Sequence, residues 1–387
     1  MIATEAWVLH QGPGARNEQH EPGELRRELY FFPDITETEV LAEPVYGCWE
    51  GNLGHAIERK PIDICRQRGE EKVVVGNSGL VRVLKVGSAV THLAEGDLCI
   101  LIPNAVIDRY GYIEKILAYD APHTMGLLAK RAKFAARHLI AIPASTRYSL
   151  QQWASLGRYF SAWSNWSVAY KALRCQLSED ELPVPVVWGW GGGVALAELE
   201  LATIFNCRAA LITSDVERMA NISRRGIEPI DRNQFIHLNY KEQEYNKDLS
   251  YTARYLEAER TFLNIVREKT EGEGINIFID NIGTPVYRAT LRALAREGVI
   301  TTCGWKEGME ISHLRASECI ARHIHVHTHA MRYQECLDAV RFIEERGWMP
   351  DLEECVTYGW EDIPRLAKEY VEGKVSTYFP LFAVNVA

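Results

Sequence analysis

The sequence lacks several features that would assign the chain to a membrane, a nucleic acid or a secretory route. None of its uncharged stretches reaches the roughly 18 apolar residues that a membrane-spanning helix needs. It has no long basic run: 43 lysines and arginines are set against 52 aspartates and glutamates, a formal charge of −9, so neither nucleic acid nor an anionic membrane is expected as a partner. The N-terminus also lacks the charged-then-apolar layout of a signal peptide.

Cysteine pairs and simple repeats are missing as well. The nine cysteines are scattered without a Cys-x-x-Cys pair, which predicts reduced thiols in a cytoplasmic protein. There is no internal repeat and no low-complexity segment. What is present is 47% hydrophobic residues in a chain of 387, a composition that favours a folded protein and a length typical of two domains.

The most informative stretch lies in the middle of the chain, at residues 185–202. It begins with an apolar β-branched run, continues through a glycine-rich turn and goes on with apolar residues at helical spacing. This order places a helix N-terminus against a pyrophosphate, and glycines let the backbone approach the phosphates. Ala195 stands where a third motif glycine is usual, a variant that the motif allows. The predicted cofactor contacts in this stretch are Gly189, Gly191, Gly192, Gly193 and Val194.

Strand and helix patterns alternate after this turn. Strands are predicted at 209–215, 275–280, 298–304 and 324–329, and helices include 286–296 and 333–347. Alternating units of this kind predict an α/β fold with a doubly wound parallel sheet, a Rossmann domain. Ser214 and Asp215 end the second strand, where such a domain contacts the adenosine ribose.

The first 150 residues have a different pattern, in which short strands are separated by glycine turns, and this predicts a small β-barrel. The glycine–valine pattern of residues 76–87, followed by Gly96-Asp97 and then by a Rossmann unit, resembles the medium-chain dehydrogenase/reductase superfamily. The resemblance implies a GroES-like β-barrel substrate domain at 1–155 and a Rossmann cofactor domain at 156–330. Residues 331–387 would then return to the first domain.

Four segments resemble the crotonyl-CoA carboxylase/reductase branch of that superfamily. They are a long, charged, helical insertion at 234–274 and the shorter matches Trp188–Gly193, Ile230–Asn233 and Gly298–Cys303. The branch implies hydride transfer to the β-carbon of an α,β-unsaturated thioester, carried by coenzyme A or a carrier protein. The superfamily also implies a homodimer joined through Rossmann edge strands, here the strand around Val299.

A catalytic zinc is not expected. The zinc alcohol dehydrogenases of the superfamily place a cysteine, a His-Glu pair and a later cysteine or aspartate around the metal. Cys48 and His55 are present here, but Asn77-Ser78 stands where the His-Glu pair would be, so three convergent ligands cannot be assembled. The histidines at 323, 325, 327 and 329 alternate on one face of a predicted strand, and pocket-lining or core histidines are favoured over a metal site.

NADPH is favoured as the cofactor, and NADH is left open. The neutral Thr213 stands where NAD-specific sites hold an acid. Arg218 aligns with a lysine that lies near the 2′-phosphate in the reductase family, and a guanidinium can bind a phosphate bidentately; a solvated helix residue is the alternative. Asp215 departs from the family's serine and would repel that phosphate. Cys303 and Gly304 are expected at the nicotinamide ribose.

Four residues are predicted to act in catalysis: His329, Tyr119, Asp120 and Tyr46. His329 aligns with a histidine of the carboxylating members and ends a parallel strand, so it is expected to face the cleft near Tyr119 and Asp120; a buried structural histidine is the alternative. Tyr119-Asp120 aligns with their Phe-Glu pair, and Tyr46 or Tyr119 could hydrogen-bond a developing enolate. Their pocket asparagine has no counterpart here, which leaves carboxylation doubtful and simple enoyl reduction open.

The sequence therefore predicts a zinc-independent, NADPH-dependent reductase of an enoyl thioester. A quinone or enone reductase of the same superfamily shares the hydride step and is the first alternative. The bulky Trp190 inside the glycine turn and the incomplete active-site set keep a second alternative open, a non-catalytic binding protein.

Overall fold

The computed structural model describes residues 1–13, 21–304, 306–308, 310, 315–328, 330–352, 355–375 and 377–386. They form two compact units, one made of Met1–Arg158 with Arg332–Ala387 and the other of Tyr159–Met331. No helix in these ranges is both long enough and apolar enough to cross a membrane.

The secondary structure is mixed throughout the described chain. The strands are β1 Ile2–His10, β2 Leu25–Phe32, β3 Glu39–Cys48, β4 Lys72–Val73, β5 Gly79–Val86, β6 Leu98–Leu101, β7 Asn104–Ile107, β8 Ile113–Ile116, β9 Ala132–Ala135, β10 Leu139–Ala141, β11 Val186–Trp190, β12 Arg208–Thr213, β13 Glu228–Asp231, β14 Ile275–Asp280, β15 Leu294–Thr302, β16 Ile324–His327, β17 Thr357–Tyr358 and β18 Leu381–Ala383. The helices are α1 Gly51–Glu58, α2 Ile64–Arg68, α3 Leu150–Ala154, α4 Gly157–Gln176, α5 Gly193–Ile204, α6 Val216–Arg224, α7 Glu242–Lys247, α8 Leu249–Lys269, α9 Thr284–Ala293, α10 Arg315–Ala321, α11 Tyr333–Arg346 and α12 Ile363–Val371.

The first unit is rich in strands, and its main sheet is built around β3. This strand alternates buried and half-buried residues over its first half, as a strand with one covered face does, and is buried throughout its second half. It pairs antiparallel with β5 on one side and with β9 and β18 on the other. The main sheet has the order β10-β6-β5-β3-β18-β17, a smaller sheet has the order β2-β1-β4, and β7 and β8 form a hairpin.

The second unit is a parallel sheet of six strands in the order β13-β12-β11-β14-β15-β16. The central strand β11 is buried along its whole length and pairs in parallel with β12 and β14. The strand order reverses direction between β11 and β14, and in open parallel sheets ligands bind beyond the carboxyl ends of the strands at such a switch point. The predicted α/β fold class is therefore confirmed, with residues 186–189 in the central strand.

Two details of the sequence-based prediction are wrong. The helix expected over 286–296 ends at Ala293, because Leu294 pairs with Ile275 and continues as β15. The strand around Val299 is not an edge, because β15 lies between β14 and β16. The exposed edge on this side of the sheet is β16, so Val299 cannot join two copies of the sheet.

Trp190, the bulky residue in the glycine turn, points into the core of the second unit. Its side chain is 2% exposed and stacks on Phe278 with ring centroids 5.5 Å apart. Phe262, from the insertion helix α8, covers the ring from another side at 5.0 Å. The indole nitrogen donates to Thr290 Oγ1 at 2.8 Å, so burial leaves its N–H satisfied. The residue therefore faces away from the glycine turn that it interrupts.

Trp190→Ala should lower the free energy of unfolding by about 3–5 kcal/mol, because it leaves a large cavity among three phenylalanines. Trp190→Phe keeps an aromatic ring but loses the bond to Thr290, and should cost about 1 kcal/mol for that bond in addition to its smaller cavity. Urea denaturation measures both values. Val184→Ala, at an exposed apolar residue two positions before β11, is the control and should stay within about 0.5 kcal/mol. An equally small effect of Trp190→Ala would contradict the assigned packing.

Candidate functional site

The glycine turn at the end of β11 leaves a backbone-lined space at the start of α5. Gly191 has φ +140°, and a Cβ there would lie 3.2 Å from the Ala195 Cβ and 3.3 Å from the Asn281 Cβ. Both the conformation and the space therefore favour glycine. Gly192, the residue before α5, has no described atom within 4 Å of the position of a Cβ. The first N–H groups of the helix have no intrahelical acceptor, so this turn fits a phosphate group.

The end of β12 is held by a helix cap. The Asp215 carboxylate accepts a hydrogen bond from the Arg218 backbone N–H at 3.0 Å, which makes it the N-cap of α6. Its other oxygen lies 3.9 Å from Arg218 Nε. The predicted repulsion between Asp215 and a phosphate is therefore reduced, because part of its charge is directed at Arg218 and the helix N-terminus. Thr213 is buried, and Ser214 is exposed beside it.

The ends of β14 and β15 are tied together by Asn281. Its Oδ1 accepts the backbone N–H of Cys303 at 3.0 Å and the Thr302 hydroxyl at 3.4 Å. The single Thr302 hydroxyl proton is shared with the nearer Gly304 carbonyl, 2.6 Å from Oγ1, and this contact holds the predicted nicotinamide-ribose segment. Burial, and after it the nearby Glu198, raise the pKa of the Cys303 thiol far above its ordinary value. Cys303 is therefore a neutral thiol at physiological pH, which disfavours a role as a nucleophile.

A buried acid near this segment is a residue that sequence reasoning missed. Glu198 lies in α5 and is completely buried, and its Oε2 accepts a hydrogen bond from Asn165 Nδ2 of α4 at 2.9 Å. Burial raises the pKa of Glu198 well above its ordinary value, and the bond from Asn165 opposes this only in part. The available signal was the acid itself, which interrupts the otherwise apolar buried face of α5.

Asp280 is a second buried acid, on the opposite face of the sheet. Its Oδ1 accepts the N–H groups of Ile282 and Gly283, each at 3.0 Å, and its Oδ2 accepts the Thr290 hydroxyl at 2.9 Å. Burial raises the pKa of Asp280 to about 6, against these three hydrogen bonds. The residue shapes the turn after β14, next to the switch point.

The predicted catalytic residues of the first unit are described, but the structure does not test their roles. The Tyr46 hydroxyl accepts a hydrogen bond from Gln151 Nε2 at 3.2 Å. Tyr119 packs on the core of this unit, and burial, followed by the charge of Asp120, raises its pKa. The Asp120 carboxylate accepts the Ile116 N–H at 2.5 Å and so closes the turn between them.

The histidines near residue 325 surround an acid. Glu318 Oε2 lies 2.8 Å from His323 Nδ1 and 3.0 Å from His325 Nε2, and Tyr287 contacts the other nitrogen of His325 at 3.1 Å. His323 precedes β16, and its second nitrogen lies 3.0 Å from the Ala295 carbonyl. His329, the fourth histidine and a predicted catalytic residue, lies outside the described residues.

Cys48, which was considered as a zinc ligand, lies beside charged groups. It is 1% exposed, and its neighbour Glu50 forms an ion pair with Arg158 at 3.1 Å. Burial and the charge of Glu50 raise the pKa of the Cys48 thiol well above its ordinary value, so in the metal-free protein Cys48 is a neutral thiol. In the described part of the chain, no three His, Cys, Asp or Glu side chains are grouped to hold a metal ion. The expectation of a metal-free site stays a prediction.

Asp280→Asn should change how stability depends on pH. The pKa of Asp280 is about 6 in the folded protein against an ordinary value of 3.8, so between these values the folded protein retains a proton that the unfolded chain has released. Wild-type stability should fall relative to the variant as pH rises through this window, by up to about 3 kcal/mol, and the difference should then stay constant.

Urea denaturation over this pH range checks the Asp280 prediction. Asp248→Asn is the control, because Asp248 is an exposed helix cap whose pKa is lowered by hydrogen bonds from Ser250 and Tyr251. It should not reproduce the fall. Parallel stability curves for the wild type and Asp280→Asn would show that Asp280 does not titrate as described.

Known proteins resemble this chain in sequence over a part of it and in fold over nearly all of it. No family model matches the sequence. The sorbitol dehydrogenase of Ovis aries is 30% identical over 140 residues, which are 32% of this chain and 36% of that protein, so this chain covers only about a third of the relative's length.

Two of the solved structures that match over nearly the full chain are reductases bound to NADP. One is the crotonyl-CoA carboxylase/reductase AntE in complex with NADP, with a TM-score of 0.80, 17% identity, and coverage of 100% of this chain and 95% of that chain. The other is the 2-octenoyl-CoA carboxylase reductase CinF in complex with NADP and 2-octenoyl-CoA, with a TM-score of 0.76, 17% identity, and coverage of 99% and 88%. The resemblance to the medium-chain dehydrogenase/reductases and their crotonyl-CoA carboxylase/reductase branch is therefore confirmed at the level of the fold.

Proposed function

We propose that this protein is a zinc-independent, NADPH-dependent reductase of an α,β-unsaturated thioester, carried by coenzyme A or a carrier protein. The observation that carries the proposal is the glycine turn at the N-terminus of α5, which lies at the switch point of a parallel sheet. Gly191 and Gly192 leave the backbone accessible there, as a pyrophosphate requires. Trp190 does not obstruct this space, because its side chain is packed in the core.

The preference for NADPH is supported by the groups at the end of β12. The neutral Thr213 stands at the position where NAD-specific sites hold an acid that binds both ribose hydroxyls. Arg218 lies one turn into α6 with about a third of its side chain exposed. From there the guanidinium can bind a 2′-phosphate, while Asp215 stays engaged as the cap of α6.

The thioester substrate is supported by the two similar reductases. CinF is bound to NADP and 2-octenoyl-CoA, and AntE is bound to NADP; both share their fold with this chain over nearly its whole length. When bound, NADPH supplies a hydride to the β-carbon of such a substrate. The residues of this chain would have to bind the acyl chain, exclude water and direct a proton to the α-carbon.

Simple reduction is favoured over carboxylation. The pocket asparagine of the carboxylating enzymes has no counterpart, and the Asp120 carboxylate is engaged by the Ile116 N–H. We propose His329, Tyr119, Asp120 and Tyr46 as the catalytic residues on the strength of the sequence resemblance. A homodimer, if it forms through the sheet, would use the free edge of β16, and the cytoplasm is the proposed location.

Arg218→Ala should weaken NADPH binding by about tenfold, because it removes the cation proposed to bind the 2′-phosphate, and should change NADH binding by less than about twofold. Fluorescence titration of both dinucleotides measures the two affinities. Arg208→Ala is the matched control, because Arg208 is exposed at the start of β12, at the end of that strand away from α6, and the variant should bind both dinucleotides like the wild type. Tighter binding of NADH by the wild type would reject the NADPH preference, and binding of neither would favour the non-catalytic alternative.

Crotonyl-CoA and longer enoyl-CoAs should be reduced with NADPH, and the product mass should be the same with and without bicarbonate. The assay follows NADPH absorbance and records the product by mass spectrometry. A mass gain of about 44 daltons that depends on bicarbonate would show carboxylation and contradict simple reduction. Activity on quinones or enones with none on any thioester would instead identify the first alternative.

A further inference from the structure

Glu198 is a fully buried acid on α5, the helix that follows the glycine turn. Its side chain is completely buried between α5 and α4, on the face of the sheet that also carries Leu199 against Gly189. One carboxyl oxygen, Oε2, accepts the hydrogen bond from Asn165. The other, Oε1, accepts no hydrogen bond from any described residue. A buried oxygen without a partner is costly and calls for a functional explanation.

Asn165 connects this acid to the ends of two strands. Its Oδ1 accepts the Thr301 hydroxyl at 2.7 Å and the Thr328 hydroxyl at 2.5 Å, while its Nδ2 donates to Glu198. Thr301 is buried near the end of β15, two residues before Cys303, and Thr328 directly follows β16. The Thr328 N–H also donates to the Thr302 carbonyl at 2.9 Å. One amide therefore joins the acid to the segment that carries Cys303 and Gly304.

Among the residues that the structure describes, none is found to pair a positive charge with Glu198. Asn165 faces it from α4, and the Thr301 hydroxyl and the neutral Cys303 thiol come from β15 and the segment after it. On α5 itself, Glu200 is ion-paired with Arg225 and bonded by the Tyr159 hydroxyl. Asp280 of β14 faces the opposite side of the sheet, toward Thr290. Ionised Glu198 would thus be a buried charge with one amide as its hydrogen-bond donor, which strongly favours the neutral form.

We propose that the buried Glu198 carboxyl is a positioning residue of the dinucleotide site, which acts through Asn165 on Thr301 and Thr328 and so fixes the segment that carries Cys303 and Gly304. This inference rests on the proposed function, because it assumes that this segment contacts the dinucleotide. Ionisation of Glu198 creates a buried negative charge next to the segment that carries Cys303 and Gly304. Local opening of this region lets water solvate the charge and so disturbs the segment. Dinucleotide affinity therefore falls as the Glu198 carboxyl loses its proton with rising pH, although this carboxyl acts on the ligand only through Asn165.

NADPH titrations of the purified chain, from neutral pH up to the highest pH at which its circular dichroism stays native, test the proposal. The wild-type Kd should rise by at least about threefold over this range, whereas Glu198→Gln, which stays neutral, should keep a Kd within about 1.5-fold of its value at neutral pH. Glu200→Gln is the matched control on the same helix, since Glu200 bonds to Arg225 and not to Asn165. It should follow the wild-type profile. A role confined to stability would lower the melting temperature of Glu198→Gln without removing the pH dependence.

Thr328→Val provides a second variant if Glu198→Gln does not fold. It removes the hydroxyl at the far end of the connection, and should weaken NADPH binding by at least about threefold at neutral pH. Parallel profiles for the wild type and Glu198→Gln, a flat wild-type profile, or unchanged affinity in Thr328→Val would overturn the inference while NADPH binding stands. A wild type that binds neither NADPH nor NADH at neutral pH would overturn the proposed function and this inference together.

Discussion

The structure of the second unit depends on a close approach of backbone at the end of its central strand. Gly191 adopts a conformation that L side chains rarely reach, and a Cβ there would press on both Ala195 and Asn281. The turn can therefore begin α5 directly beside the end of β14. This brings the N-terminus of a helix and the switch point of the sheet to one place. The cofactor contacts, the cap at Asp215 and the Asn281 bonds to the Cys303 segment are all arranged around that turn.

The positions of strands could be predicted where the signal is local, but the boundary between α9 and β15 could not. Residues 275–280 form β14 at the predicted limits, because their isoleucines and Phe278 favour a strand buried between two neighbours. The helical spacing of residues 286–296 continues past Ala293, but Leu294 pairs with Ile275, so a tertiary contact decides where the helix ends. The edge of the sheet could not be predicted for the same reason, because the sequence around Val299 does not indicate that β16 pairs with β15.

The candidate site could be predicted in its backbone part and much less in its polar part. The glycines and the end of β12 belong to the strand–glycine turn–helix motif of dinucleotide-binding units, so their positions could be predicted from the spacing of residues in the sequence. The partner of Glu198 is Asn165, which lies 33 residues away on another helix. In the sequence Glu198 reads as an isolated acid in an apolar helix. Only the fold shows that it is buried and that Asn165 links it to Thr301.

The two faces of the parallel sheet are stabilised in different ways, and this has a consequence for function. On one face, Trp190 is packed among Phe262, Phe278 and Phe235, and its indole N–H is satisfied. Protein interiors are packed about as densely as crystals of small organic molecules, so this packing permits little movement of β11. On the other face, the strand ends are joined to α4 and α5 through one amide and one acid, and each of these bonds contributes only about 1 kcal/mol net. A response of dinucleotide affinity to pH is therefore expected on the face of Glu198, whereas titration of Asp280 on the aromatic face is expected to change the stability of the packing that keeps the glycine turn in place.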